Sequence, residues 1–453
     1  MPDVSVPWGD DALHVSLPAH WNIQQVAEPQ LRPAAESWPE QLGEALAQPG
    51  THLPLGKLLA ARRNGRVAFI VEDITRHSPL PQILDVVMRE VRHANIPKEQ
   101  LEVFLALGMH QPMTEAQIAE KLGPAAEGVR VRGNPWDDRT AYVRVGRIGK
   151  VEVLADRGVA EADLRILVSS VAPHLQAGFG GGYKMLFPGA THLDTIRELH
   201  RLGVARVPRQ LVGTEPERNA MRTFIDAAGR LVDEAHGTTF SIQYLLDASN
   251  RPTSIAAGEP IATHRMLAKQ CSVSCGIVTD APADVLITNA HPLDYDLWQS
   301  FKCIANTRWA ARPNAPIVCL TRCEAALGGM KVPFWPMSPK WTRRVVGWLG
   351  PEALGALVMR LIPRLAGDAA FFVRMALQTL HRNPILMVSP ALFRSGGGFP
   401  GLEVYEHTED AIAAAQGLTG SGPQRVTVFP FGGTTFPIPT NDRGARPAGG
   451  ASE

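Results

Sequence analysis

Short unbroken apolar runs recur along this chain, each closed off by polar or turn-forming residues. They are Arg66–Glu72 (RVAFIVE), Glu102–Leu107 (EVFLAL), Leu164–Val171 (LRILVSSV), Asp284–Thr288 (DVLIT), Pro316–Leu320 (PIVCL), Ile385–Val388 (ILMV) and Val426–Phe429 (VTVF). Runs this short and this apolar predict strands buried on both faces. Segments of helical period lie between them. Leu80–Ala94 sets Ile83, Leu84, Val87, Met88 and Val91 on one face. Glu115–Leu122 follows a capping Thr114 and stops at Gly123. Leu58–Arg63, Pro292–Ile304 and Pro351–Leu365 fit further helices. Strand and helix in alternation specify an α/β fold with largely parallel sheets.

At 453 residues the chain has room for two or three domains. We place a boundary near residue 270, giving an N-terminal α/β domain over residues 1–270 and a C-terminal one over 271–429. The active site is expected in the cleft between them. Ala262–Gly276 reads as a hinge or bridging helix, and residues 430–441 are expected to return to the first domain. Residues 442–453, rich in Gly, Ala and Pro, read as a disordered tail. A formal net charge of +1 with no basic block argues against nucleic acid as a partner. No uncharged apolar window of about 18 residues predicts a membrane span. The start, MPDVSVPWGDDALHV, carries acids early and lacks a signal-peptide pattern, so a cytoplasmic location is expected. Five cysteines, an odd count, argue against a disulfide framework, and the two Cys-x3-Cys pairs depart from usual zinc spacing.

Ligands of open α/β sheets bind beyond the carboxyl ends of the strands. Here those ends carry chemistry. RVAFIVE leads to Asp73, Thr75 and Arg76; EVFLAL to Gly108 and His110; DVLIT to Asn289, His291, Gln299 and Lys302. LRILVSSV leads to His174, then to Gly178, Gly180, Gly181 and Gly182, then to Lys184. Each residue also has a plain structural reading. Asp73 and Thr75 fit a helix cap or turn, His110 a loop, and Arg76 and Lys302 solvated charges. His192 and His200 flank or join a helix-like stretch, Leu193–Leu202, ended by Gly203. The repetition along one rim is what points to a site. The glycine run suits close backbone approach to a ligand. It is neither a Walker A loop, since Lys184 precedes Met185, nor G-x-G-x-x-G, since Tyr183 holds the third position. A lysine in such a loop suits a covalent anchor, its amine joined to a carbonyl or thiocarbonyl.

Taken together, DITR (Asp73–Arg76), GMHQPMT (Gly108–Thr114), PHLQAGFGGGYKMLFPG (Pro173–Gly189), His200 and PLDYDLWQSFK (Pro292–Lys302) resemble the nickel-dependent lactate racemase family in order and spacing. The resemblance runs from about residue 4 to residue 435. It implies a nickel-pincer nucleotide: pyridinium-3-thioamide-5-thiocarboxylic acid mononucleotide with Ni, covalently bound to Lys184 of a cofactor-anchoring N-terminal domain. It implies His200 as the protein's nickel ligand and His110 and His174 as the acid–base pair. Arg76, Gln299, Lys302 and Trp298 would hold the substrate. Asp73, Thr75 and the four glycines would line the cofactor. Enzymes that synthesise the cofactor would be partners.

The implied chemistry suits the inventory. Racemising a small 2-hydroxy acid requires breaking the bond between the α-carbon and its hydrogen. Loss of that hydrogen as a proton leaves a poorly stabilised carbanion beside a carboxylate. Loss as a hydride, with a base taking the hydroxyl proton, gives a planar 2-oxo acid instead, and two faces need two bases. The chain departs from the common family pattern at Met109, His77, Tyr183 (often proline), Trp298 (often tyrosine) and Cys303. Lactate is the default substrate. Malate, aryl-lactates and sugar acids, acted on by other family members, are the alternatives within enzymes; a nucleotide-binding module without catalysis is the alternative outside them.

Overall fold

The structure is a computed structural model and describes residues 2–50, 52–204, 209–327, 338–365 and 370–439. The chain divides into two compact units. The first comprises Leu31–Gly203 and Thr214–Ser272; the second comprises Met1–Gln30, Val204–Gly213 and Val273–Glu453.

The first unit is built on a six-stranded sheet. Its strands in chain order are β1 (Val67–Val71), β2 (Leu101–Leu105), β3 (Arg130–Gly133), β4 (Leu164–Ser170), β5 (Thr238–Leu246) and β6 (Pro252–Gly258). The spatial order is β6-β5-β4-β1-β2-β3, parallel throughout except for β6, which runs antiparallel to β5. Every residue of β1 and of β4 is buried, as their unbroken apolar runs predict. Alternation then supplies two cores. Val67, Phe69 and Val71 pack with Ile83, Leu84 and Val87 of helix Leu80–His93. Ala68 and Ile70 join Phe224, Ile225 and Ala228 of helix Ala220–Ala235 on the other face. Each Val, Leu, Ile or Phe side chain among these contributes about 1.5–3 kcal/mol by burial.

From β1 the chain moves to one side through β2 and β3; from β4 it moves to the other through β5 and β6. The two directions part between β1 and β4. Diverging crossovers leave a crevice there, outside the carboxyl ends of the strands.

The second unit carries another six-stranded sheet, all parallel. Its spatial order is Glu403–Tyr405, Ile385–Val388, Ile317–Leu320, Val285–Asn289, Gln424–Phe429 and Trp21–Val26. A single boundary at residue 270 therefore misplaces residues 1–30. Trp21–Val26 pairs with Gln424–Phe429, and Asp3–Trp8 forms a hairpin with Asp11–Ser16 beside that core. Nor does the described part of 430–441 return to the first unit: Phe436–Pro439 pairs with Gly276–Thr279, inside the second. The expected tail, 442–453, lies outside the described residues.

Helix Pro260–Cys275 fills the stretch read as a bridging helix. Glu115–Leu122 forms as read, with a reciprocal cap between Thr114 and Gln117. The helix expected from Pro292 starts later, at Leu297, where Asp296 accepts the Gln299 N–H at 2.7 Å. None of the five cysteines is in a disulfide and all are buried, with the Cys303 and Cys319 sulfurs 3.4 Å apart. Among the described residues no helix is long and apolar enough to cross a membrane.

Candidate active site

Asp73, Thr75 and Arg76 leave β1 at the crevice between β1 and β4. The Asp73 carboxylate is nearly fully buried. One oxygen accepts from Thr75 N (3.0 Å) and Thr75 Oγ1 (2.5 Å); the other meets His110 Nδ1. Burial alone would raise the pKa of Asp73. The His110 bond and charge, the Thr75 bond and the Arg76 charge overcome burial and hold the carboxyl far below its ordinary range. The plain turn reading is thus correct for Thr75, and the same carboxylate also orients a histidine.

His110 follows β2 on a loop tied to the Lys184 segment. Gly108 N donates to Gly189 O (3.1 Å), and Asn134 Nδ2 donates to Gly108 O (2.9 Å) and Thr191 O (3.0 Å). With Asp73 anionic, the neutral form of His110 carries its proton on Nδ1 and leaves a lone pair on Nε2.

His174 has the opposite arrangement. Its Nδ1 accepts the backbone N–H of Gln176 (3.3 Å) and Ala177 (3.1 Å), so the neutral ring carries its proton on Nε2. In their neutral forms one histidine therefore offers a hydrogen-bond acceptor at Nε2 and the other a hydrogen-bond donor. Asn219 and Gln176 brace this turn: Asn219 Nδ2 donates to Gln176 O (2.9 Å), and Gln176 Nε2 to His200 O (3.4 Å).

The glycine loop is partly explained by the fold itself. Gly178, Gly181 and Gly182 have φ of 75°, 82° and 62°. A Cβ on Gly181 would also lie 2.8 Å from Val171 Cγ2. Gly180 is different: no backbone constraint applies, and the nearest atom to an added Cβ is 3.7 Å away. Buried Arg222, from helix Ala220–Ala235, holds the loop by donating to Gly181 O (3.1 Å) and to Phe179 O. Lys184 follows in the turn Gly182–Met185, half-buried between fully buried Tyr183 and Met185.

His200 sits in the last turn of helix Leu193–Leu202. Burial, with the charges of Lys184 and His110, pushes its pKa down to about 4. It is therefore a neutral imidazole at neutral pH, the form that ligates metal. His192 is structural: it caps the same helix through Asp194 N (3.2 Å) and packs edge-on against Tyr142.

Trp298, Gln299 and Lys302 form a separate group on helix Leu297–Thr307 of the second unit. Lys302 Nζ donates to Gln299 Oε1 at 2.5 Å, and Trp298 stacks on Phe372 with centroids 5.1 Å apart. Asn289, which also follows a strand, bonds Pro7 O at 2.7 Å as a structural contact.

Sequence reasoning missed two charged supports. Buried Glu72 accepts from Ser170 N (2.7 Å), Ser170 Oγ (2.6 Å) and Ser78 Oγ, joining the ends of β1 and β4. Lys121 Nζ donates to Arg76 O at 2.5 Å from a buried position. Glu72 left a signal, an acid closing an apolar strand. Lys121 left none, since a lysine on an amphipathic helix reads as solvated.

A sheet whose switch point gathers an Asp–His pair, a second histidine, a lysine and an arginine belongs to an α/β enzyme. The signature of the lactate racemase N-terminal domain matches residues 8–213. The lactate racemase of Thermoanaerobacterium thermosaccharolyticum is 26% identical over 347 residues, 73% of this chain and 76% of that protein. The lactate racemase of Lactiplantibacillus plantarum is 24% identical over 279 residues, 59% of this chain and 63% of that protein. The solved lactate racemase apoprotein from Thermoanaerobacterium thermosaccharolyticum shares the fold, with a TM-score of 0.78 at 19% identity over 96% of this chain and all of that one. A protein from Thermotoga maritima shares it with a TM-score of 0.62 at 15% identity, over 92% of this chain and all of that one. Residues 8–213 thus resemble a lactate racemase N-terminal domain, and the chain is similar over most of its length to proteins named lactate racemase.

Proposed function

We propose that this chain is a racemase of a small 2-hydroxy acid, with lactate the first substrate to test, working in the cytoplasm with a nickel-pincer nucleotide made by other enzymes. The observation that carries this reading is the complementary state of His110 and His174. A two-faced proton transfer needs one group ready to accept and one ready to donate. His110, backed by the Asp73 carboxylate, offers Nε2 as acceptor. His174, its Nδ1 engaged by two backbone N–H groups, presents Nε2–H as a hydrogen-bond donor when neutral, and its imidazolium form is the one that gives up a proton. Arg76 is the carboxylate clamp, since a guanidinium fork matches a carboxylate bidentately. Gln299, Lys302 and Trp298 of the second unit are further substrate contacts.

The donor set fits the implied group. Lys184 is a half-buried residue in a loop where Gly180 is under no backbone constraint and would meet neighbours only at ordinary contact distance. His200 is held neutral by its surroundings. Among the described residues no group of three or more His, Cys, Asp or Glu could hold a metal ion. A nickel ion bound here therefore needs donors beyond the protein's own, and a single histidine beside a sulfur-bearing nucleotide meets that need. When bound, the nucleotide supplies an electrophilic ring that takes and returns a hydride. The chain's residues hold the carboxylate, move the hydroxyl proton at His110 and His174 Nε2, and anchor the group at Lys184 and His200. Asp73, Thr75 and the glycine loop lie on the cofactor's side of this arrangement.

Intact mass and nickel analysis test the reading, on protein made in a host that synthesises the cofactor. The expected result is one adduct on Lys184 and about one Ni per chain. Wild-type protein without an adduct, or an adduct that survives Lys184→Ala, would overturn it.

A further inference from the structure

Four glycines within five residues leave Phe179 as the one side chain that the stretch Gly178–Gly182 can pack. Glycine also carries the largest entropic cost of ordering. Something else must fix the lysine. Tyr183 is the first side chain after the glycines, and it is 2% exposed. Its hydroxyl donates to the Asp233 carboxylate. Asp233 is held in turn by Arg165 Nη2 (2.9 Å) and Thr239 Oγ1 (2.5 Å). Fully buried Arg165 ties this carboxylate to the carbonyls of Ala160 (3.1 Å) and Ala162 (3.0 Å). Burial and the Asp233 charge raise the Tyr183 pKa, so the phenol stays neutral and keeps its donor proton.

The facing helix is shaped for this ring. Gly229 lies inside helix Ala220–Ala235, where glycine costs about 1 kcal/mol relative to alanine. A Cβ there would lie 2.1 Å from Tyr183 Cγ. Tyr183 O in turn accepts both Leu186 N and Phe187 N at 2.9 Å, so the ring's seat also sets the turn that carries Lys184.

We propose that Tyr183, seated in the Gly229 notch and latched to Asp233, is a positioning residue that sets Lys184 for attachment of the cofactor. The inference rests on the proposed role of Lys184 as anchor. The same helix then fixes the loop at two points ahead of the lysine: Arg222 holds the Phe179 and Gly181 carbonyls, and Gly229 with Asp233 holds the ring of Tyr183.

The test compares wild type, Tyr183→Phe and Gly229→Ala, all made in the cofactor-synthesising host. Adduct per folded chain at Lys184 is read by intact mass and peptide mapping. Misplacing a reacting group costs rate steeply, so Gly229→Ala should load about tenfold less adduct and Tyr183→Phe a few-fold less. Tyr183→Phe retains the ring, which keeps the test open if Gly229→Ala fails to fold. In cofactor-free protein, acetic anhydride should acylate Lys184 of Tyr183→Phe at least about threefold faster than in wild type as the turn loosens, with the other lysines unchanged. If wild type loads Lys184 and both variants load equally well, the latch is overturned while the anchor stands. If wild type carries no adduct, the anchor falls, and an unchanged acylation rate in Tyr183→Phe would then overturn the latch independently.

Discussion

Both units are six-stranded, largely parallel sheets, and in each the crossovers part at one pair of strands. In the first unit that pair, β1 and β4, ends in Asp73, Arg76 and His174, with Glu72 bonded across it to Ser170. In the second the pair is Val285–Asn289 and Gln424–Phe429. Its crevice is filled by the chain itself. A Cβ on Gly432 would lie 2.2 Å from Thr288 Oγ1, and one on Gly433 would lie 2.6 Å from Ala290 O. Asn306 Nδ2 donates to the carbonyls of both glycines, at 3.2 and 3.1 Å. One architecture thus produces a reactive rim in one unit and a sealed one in the other. The fold offers the position; side chains decide its use.

This contrast can be broken by mutation. The largest effect is expected at the first rim: His110→Ala and His174→Ala should each lower racemisation by about 10²–10⁴-fold, with the Lys184 adduct intact. Full activity in either would show that histidine to be structural. Next, Arg76→Lys should lower kcat/KM by roughly 10–100-fold, chiefly through KM, because an ammonium replaces a bidentate fork. A kcat effect alone would argue against a carboxylate clamp. At the sealed rim, Gly432→Ala should leave substrate affinity unchanged and cost about 1–3 kcal/mol in urea unfolding, the usual effect of overpacking. A stability-neutral variant would reopen that crevice as a site.

Smaller effects are expected with pH. The folded pKa of His200, about 4, lies below its ordinary 6.5. The unfolded chain therefore binds the extra proton between those values. The stabilisation is complete above pH 6.5 and is lost as pH falls towards 4. In cofactor-free protein, His200→Gln should flatten that slope. Asp73 acts lower: its depressed pKa gives stability present above the ordinary carboxylate value and lost on further acidification. The subtlest expectation concerns the unlike histidines. Two enantiomers have equal free energies, so kcat/KM must match in both directions at every pH. Inequality between His110 and His174 can appear only in kcat and KM separately, measured for each enantiomer.

Much of this was legible in the sequence where residues interact locally. The apolar strands, the Thr114 cap and the polar residues beyond β1, β2 and β4 were read from adjacent positions. Thr238–Leu246 was not, because Thr239, Ser241 and Gln243 make a buried strand look polar. Their side chains are satisfied at a distance, as when Ser241 Oγ meets Thr263 Oγ1 at 2.8 Å and Gln243 Nε2 meets Pro260 O at 3.2 Å. Tyr183 was visible as a departure from the family pattern, but no residue near it in sequence points to Gly229. Only the packed structure joins the two. The interleaving of the units was hidden for the same reason, since no local signal marks a strand that pairs with the far end of the chain.

That last pairing bears on how the molecule is made. Gln24 bonds Thr427 across 403 positions of sequence. At ribosomal speeds of about 5–20 residues per second, the partner of Trp21–Val26 emerges roughly 20–80 s after it. This early strand must therefore wait, its edge unpaired, while the whole first unit is synthesised. During that interval its protection falls to chaperones, and the first unit can close its own sheet long before the second has its last strand.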